Sequence, residues 1–301
     1  MRNAGLFELN AVVAVATHRS FRGAAKELGI SPSALSHAVA GLEQRMGVKL
    51  FSRTTRSVSL SEAGEEFLAR IRPALHEISA AMESVNKFRD TPTGTLRINT
   101  SEAAAQMALT PVLPEYLSRY PDMKVDLVTE GRLIDIVAEG FDAGIRLAEA
   151  VPQDMISIAC RPALRFAVVG SPAYFENRQR PLVPDDLRVH KCIRSRLPSG
   201  ALFRWEFEKH GEEIEMDVAG SLTLDSHTLM IDAALNGIGL VWVSEWLVAR
   251  HIEAGRLIRV LEDWTPPYPG LCLYFPRHRQ VTAGRRAFID LLRESPSQPA
   301  V

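Results

Sequence analysis

Ser31, Pro32, Ser33, Ser36 and His37 crowd into one short stretch near the start of the chain, and Lys49, Arg53 and Arg56 follow soon after. Small hydroxyls and an imidazole on the exposed turns of a helix can reach base edges in the DNA major groove and hydrogen-bond there. The N-terminus of such a helix favours phosphate. Cations placed just beyond it suit backbone phosphates, contacts that set register without reading sequence.

The surrounding residues predict the elements that would hold these groups. Ser20 is placed to cap a helix whose apolar face is Phe21, Ala24, Ala25 and Leu28, and Gly29 follows as a helix terminator. Ser31 then caps a second helix with Pro32 in its first turn. Leu35, Val39, Leu42 and Met46 form its apolar stripe, and Gly47 ends it. Two helices joined by a tight turn predict a helix-turn-helix with the second as recognition helix. VKLFSR, a polar turn at Thr54-Thr55-Arg56 and SVSL predict a two-stranded wing. The alternative is a small helical core with ordinary surface charge. Residues 1–60 argue against it, since eight Lys and Arg face three acids in a chain of net charge −1. A basic module on a near-neutral protein is the expected footprint of a DNA-binding domain.

AAKELGISPSALSHAVAGLEQRMGVKLFSRTTRSVSLSEAG resembles the N-terminal signature of LysR-type transcriptional regulators. The residues that carry the resemblance are Ala24-Ala25, Leu28, Ser31, Ser36, Leu42-Glu43, Gly47, Leu50-Phe51, Arg53, Leu60-Ser61 and Ala63-Gly64. The chain departs from the family pattern at Pro32, where many members carry Gln, and at His37, where Arg or Gln is common. Both sit where the family reads bases, so the operator sequence does not carry over.

From Ser61, with Glu62, Glu65 and Glu66 at its positive end, a further helix is expected. Leu68, Ile71, Leu75, Ile78, Met82 and Val85 recur at alternating spacings of three and four. That 3.5-residue period is the seam of a coiled coil, and it predicts dimerisation. The alternative is packing on its own domain. Pro73 is expected to kink the helix. Pro92 should end it, with Thr91-Pro92-Thr93-Gly94 as a hinge. The resemblance makes this the linker helix that pairs two subunits.

Beyond the hinge, strands alternate with helices, which predicts open α/β sheets. Strands are expected at 96–100, 124–130, 141–147, 164–170, 191–195 and 239–243, with a hairpin within 203–223 and later strands in RLIRVL and LCLYF. Helices are expected after Thr100 as far as Arg119, and at 133–139, 228–236, 244–254 and 283–293. The tail from Pro296 to Val301 is expected to be disordered. LRI, FDAGIR, SPAYF, GIGL and AGRL resemble the LysR effector domain. That resemblance implies a periplasmic-binding-protein fold of type 2, in which two α/β subdomains flank a cleft. The crossings between them are expected near Arg161–Leu164 and Asp263–Tyr268.

In open α/β sheets, ligands bind beyond the carboxyl ends of strands. This nominates Thr100, Ser101, Gly131, Arg132 and Arg146 from the first subdomain, and Arg194, Ser195, Ser226 and His227 from the second. Hydroxyls, helix starts and Arg side chains suit a small organic anion. For each residue, capping or surface charge is the competing reading, and Asp225 is expected to cap the helix that follows it.

Other chemistry is not signalled. Hydrophobic content of 46% and charged content of 24% are those of an ordinary globular protein. Cys160, Cys192 and Cys272 are odd in number and far apart, which suits a reducing cytoplasm and buried thiols; a redox pair is the alternative. The histidines form no metal-ligand pattern with them. Nucleophile-elbow, Walker, zincin and dinucleotide motifs are lacking, so neither catalysis nor a cofactor is expected. No run approaches the roughly 18 apolar residues of a membrane span. Residues 6–16 are read as a first helix, with Leu6, Leu9, Val13 and Ala16 on one face, rather than an export signal.

The fold expected is therefore mixed α/β. An N-terminal winged helix-turn-helix occupies residues 1–60, a linker helix and hinge 61–92, and an effector-binding domain 93–301. Within the last, residues 93–161 and 268–301 form one subdomain and 164–263 the other. The resemblance implies a homodimer, pairing into a homotetramer, on an interrupted inverted repeat of double-stranded DNA. A small effector between the subdomains controls it, and RNA polymerase is a further partner the resemblance admits.

Overall fold

A computed structural model describes residues 5–53, 58–84, 92–277 and 281–294. Two compact units emerge. One comprises Met1–Thr93, Ile134–Asp142 and Gln280–Ala283; the other comprises Gly94–Leu133, Ala143–Arg279 and Gly284–Val301. No described helix is long and apolar enough to cross a membrane.

The first unit begins with α1 (Leu6–His18), α2 (Phe21–Glu27) and α3 (Pro32–Met46), then β1 (Phe51–Arg53), β2 (Val58–Leu60) and α4 (Glu62–Ser84). The local signals act as expected. Ser20 Oγ accepts from Gly23 N–H and Ser31 Oγ from Ala34 N–H, each capping its helix. Gly47 closes α3 at φ +71°, a left-handed conformation that disfavours residues with a Cβ. β1 and β2 pair antiparallel, Phe51 opposite Leu60. Gly64 lies where a Cβ would come within 2.1 Å of the Leu50 carbonyl oxygen, so only glycine lets α4 start against the wing. Ser61 Oγ accepts from Gly64 N–H and donates to Lys49 O.

Three details differ from expectation. The buried face of α1 is Ala11, Val12, Ala14 and Val15, while Leu6 is exposed. Met46 is exposed rather than part of the α3 stripe. Leu68 is only 4% exposed and packs into the core that α1, α2 and α3 share, so the first seam position is filled from within its own chain. Leu75 is also buried and Ile71 half-buried, whereas Ile78 and Met82 are exposed. The helix continues through Pro73. Thr54, Thr55, Arg56, Val85, Thr91, the Arg53 side chain and the 296–301 tail lie outside the described residues.

The second unit holds β3 (Gly94–Thr100), α5 (Glu102–Ala104), a π turn (Ala105–Leu109), α6 (Leu113–Arg119), β4 (Met123–Thr129), β5 (Ala143–Leu147) and β6 (Met155–Leu164). It continues with β7 (Phe166–Gly170), α7 (Pro172–Phe175), β8 (Ile193–Ser195), β9 (Trp205–Lys209), β10 (Glu212–Met216) and β11 (Leu222–Leu224). Last come α8 (His227–Leu235), β12 (Val241–Ser244), α9 (Glu245–Glu253), β13 (Ile258–Val260), β14 (Tyr268–Pro276) and α10 (Ala283–Glu294).

A five-stranded sheet has the order β4-β3-β5-β14-β6, with β3 parallel to β4 and β5, and β14 antiparallel to β5 and β6. A three-stranded sheet has the order β12-β7-β13, all antiparallel. β8 pairs parallel with β11, and β9 with β10 forms the expected hairpin.

β6 was not foreseen. Arg161 and Leu164 still belong to it, paired with β14, so the chain leaves the five-stranded sheet only at Arg165. This places the first crossing later than expected. The helix expected to run to Arg119 is broken into α5, the π turn and α6. The helix expected at 133–139 is a set of hydrogen-bonded turns at 136–140, where Asp135 Oδ1 accepts from Val137 and Ala138 N–H.

Candidate functional sites

At the N-terminal end of α3, Pro32, Ser33 and His37 are exposed and Ser36 is half-buried, all opposite buried Leu35, Val39 and Leu42. Ser31 is exposed, but its hydroxyl oxygen already caps the helix. Lys49 is not a free cation. Its Nζ lies 2.9 Å from Glu43 Oε2, and the same carboxylate accepts from the N–H groups of Leu50 and Phe51. Burial works to raise the Glu43 pKa, yet Lys49 and the two N–H groups hold it below the usual carboxylate range. The Glu43 of the family signature thus anchors the wing to α3. Arg45 is paired with Glu8, tying α3 to α1. Arg22 and Lys26 on α2 are exposed. The sequence showed their charge without assigning them a role.

In the second unit a cavity of about 540 Å³ opens at the carboxyl ends of β3, β4, β5 and β8 and at the start of α8. Of the residues nominated from sequence, Ser101, Gly131, Arg146, Ser195, Ser226 and His227 line it. Thr100 does not, because it is fully buried beneath the strand end. Arg132 is absent from the lining, its side chain paired with Glu130. Arg194 is also absent, held in β8 opposite Thr223 of β11.

Arg146 lines the cavity but is not an available clamp. Its Nη1 donates to the carbonyl of Ile145 at 2.7 Å, and Nη2 donates to those of Glu130 and Arg132 and to the Asn99 side chain. It therefore bolts together the ends of β3, β4 and β5. Burial lowers its pKa, with Tyr274 and Glu130 opposing. Ser101 Oγ accepts from Ala104 N–H, so here the capping reading holds even at the cavity wall. Asp225 does not cap α8. Ser226 occupies the N-cap position, and its hydroxyl makes no capping bond. His227 has its pKa lowered by desolvation, with Glu102 opposing.

Other lining residues were not foreseen. Met107 enters through the π turn, an element often found at functional sites. Its carbonyl accepts from Arg161 Nε at 3.0 Å and Nη2 at 2.6 Å. Phe203, Trp242 and Tyr268 belong to strands or strand edges that read as ordinary core. Glu102, Glu149, Glu206 and Asp225 also line the cavity, and none is ion-paired among the described residues. Their only sequence signal is a position near a strand or helix end.

Residues 6–65 match the model of the bacterial regulatory helix-turn-helix proteins of the lysR family, and residues 89–297 match the LysR substrate binding domain. The chain belongs to the LysR family. It is 44% identical over 280 residues to the HTH-type transcriptional regulator YcaN of Escherichia coli K12, covering 93% of this chain and 92% of that one. It is 40% identical over 294 residues to the HTH-type transcriptional regulator PgrR of the same strain, covering 97% and 98%. Full-length AphB of Vibrio cholerae, a virulence activator, shares the fold at a TM-score of 0.66 and 20% identity, over 97% of this chain and 99% of that one. LysR-type regulators bind DNA and effector ligands and form oligomers. This member couples a helix-turn-helix domain to an effector-binding domain.

Proposed function

We propose that this LysR-type regulator reads its operator with Pro32, Ser33, Ser36 and His37 of α3. Ser31 caps that helix toward phosphate, and Lys49, Arg53 and Arg56 contact the DNA backbone. The observation that carries the reading is the outward polar face at the N-terminal end of α3, held in place by the Glu43 anchor. Arg22 and Lys26 add phosphate contacts from α2. The division into residues 1–60, 61–92 and 93–301 follows from the same reading. Ile78, Met82 and Val85 form the dimer seam, and two dimers make a tetramer on an interrupted inverted repeat. RNA polymerase is the partner through which the bound regulator changes transcription, in the cytoplasm.

The effector is a small molecule bound in the cavity lined by Ser101, Gly131, Ser195, Ser226 and His227, and it must favour one of two states to act. The anionic class expected from sequence rested on hydroxyls and helix starts together with Arg side chains. Arg146 is occupied by carbonyl groups and Arg132 by Glu130, so among the described lining residues the guanidinium left to an anion is Arg196, beside the Ser195 and Ser226 hydroxyls and the start of α8. We read the cavity as a receptor site rather than a catalytic one.

The test is binding to a duplex from the region upstream of the regulator's own gene, titrated with salt and competitor DNA. His37→Ala should change preference at particular bases. Arg53→Ala should weaken all sites alike and lower the salt slope by about 1. Uniform loss of affinity in both variants would remove His37 from base reading.

A further inference from the structure

The hairpin of β9 and β10 carries an arrangement that ordinarily costs stability. Glu206 lies directly opposite Glu215, and Glu208 opposite Glu213, on the face that alternates with Trp205 and Phe207. Like charges facing each other across strands are destabilising. Arg204 answers Glu215, and Glu208 accepts from Gly211 N–H. Glu206 and Glu213 have no ion pair among the described residues. Burial, then Glu149, Glu215 and Glu213, raise the Glu206 pKa.

These carboxylates line a second cavity of about 380 Å³, together with Glu149. Its lining is also aromatic. Phe166 stacks on Trp242 with ring centroids 3.5 Å apart and on Tyr268 at 4.5 Å, and Trp264 completes the wall. No Lys or Arg lines this cavity among the described residues, and Lys209 Nζ lies 5.2 Å over the Trp264 ring, leaving Phe166, Trp242 and Tyr268 as the wall for a ligand cation. Trp242 is 8% exposed, and its indole Nε1, a donor that an ammonium does not satisfy, has no hydrogen-bond partner among the described residues. Aromatic rings beside carboxylates are the chemistry that binds organic cations. The second cavity shares Glu149, Phe166, Glu206, Trp242 and Tyr268 with the larger one.

We infer that the effector is an organic amine: its ammonium group sits among Glu149, Glu206 and the aromatic wall, and its apolar body lies in the larger cavity. This rests on the reading of the larger cavity as the effector site. The ammonium relieves the repulsion that the hairpin otherwise holds, and Met107, Leu133 and Leu197 give the body apolar walls.

Calorimetric titration of the full-length chain tests this with two probes of similar shape and opposite charge, phenethylammonium and 3-phenylpropionate. Saturable binding of the amine is expected, with the anion at least about tenfold weaker. Replacing both Glu149→Gln and Glu206→Gln should weaken the amine by about tenfold or more. A melting temperature no lower than the parent's shows that the double variant folds. Ala103→Trp, at a half-buried position on the wall, narrows the larger cavity and should also weaken the amine. Amine binding indifferent to the two Gln substitutions overturns the proposal. If the anion binds more tightly and Ala103→Trp blocks it, the effector cavity stands and the cation is wrong. If neither probe binds, both ideas fall.

Discussion

The Lys49 ammonium stands 2.9 Å from the Glu43 carboxylate, and Glu43 is 2% exposed while Lys49 reaches solvent. A buried carboxylate keeps its charge here because one cation and two backbone N–H groups converge on it. Glu43→Ala leaves those N–H groups without their acceptor. It should destabilise the N-terminal domain by about 2–3 kcal/mol, read as a lower melting temperature. The folded pKa of Glu43 is depressed, so its contribution is complete above the unfolded value near 4.5 and disappears as pH falls through the folded value. Parent and Glu43→Ala stabilities should therefore converge in acid. A gap that persists at low pH would mean the carboxylate charge is not what anchors the wing.

Lys49→Ala should act twice, lowering both stability and DNA affinity. A variant that binds DNA more weakly at unchanged melting temperature would show that Lys49 serves phosphate alone.

The linker helix divides into two kinds of apolar position. Leu68→Ala removes packing from the core of the DNA-binding domain and should cost about 2–4 kcal/mol without changing the oligomer. Met82→Asp, at a position 71% exposed within one chain, should leave the fold intact and dissociate the dimer. Sedimentation velocity separates the two. A Met82→Asp protein that remains dimeric at low micromolar concentration would move the seam elsewhere.

Arg146→Ala should lower the stability of the effector domain by about 3 kcal/mol, because several carbonyl groups lose their donor together. Urea unfolding measures this directly. If effector response disappears while stability is unchanged, Arg146 touches ligand after all.

Burial pushes the Cys160 and Cys192 thiols up to about 12. Almost no thiolate forms at neutral pH, and thiolate is the reactive form. Iodoacetamide labelling at pH 7 should be slow in the native chain and rapid after denaturation, followed by mass spectrometry. Fast native labelling of Cys160 would reopen a redox role.

The winged helix-turn-helix was legible because its signals are local. Ser20, Ser31 and Pro32 start helices, and Gly29 and Gly47 stop them, each by its own backbone chemistry. The seam was half legible. A 3.5-residue period says that a face is buried, not whether the covering atoms come from the same chain, and Leu68 turned out to be covered by its own domain. The effector residues were the least legible. Arg146 looks like a ligand clamp until the carbonyl groups of residues distant in sequence are brought to it. Glu206 and Glu215 become a facing pair only once hairpin register is known. β6 escaped notice because Pro162 interrupts its run and MISIAC does not alternate polar with apolar residues.

β6 and β14 lie side by side in the five-stranded sheet, with Leu164 opposite Tyr268 at the point where both leave it. Arg165, the single residue between β6 and β7, donates to the Thr265 carbonyl at 3.4 Å and pairs with Glu262 at 3.7 Å. The three-stranded sheet is thus carried on a two-ply ribbon stitched at its neck. Such a ribbon bends and twists readily about its own line but resists sliding of one ply past the other. Any rearrangement of the effector domain that keeps these pairings is a rotation with its pivot at Arg165 and Thr265, and its amplitude is set by how far that neck can flex.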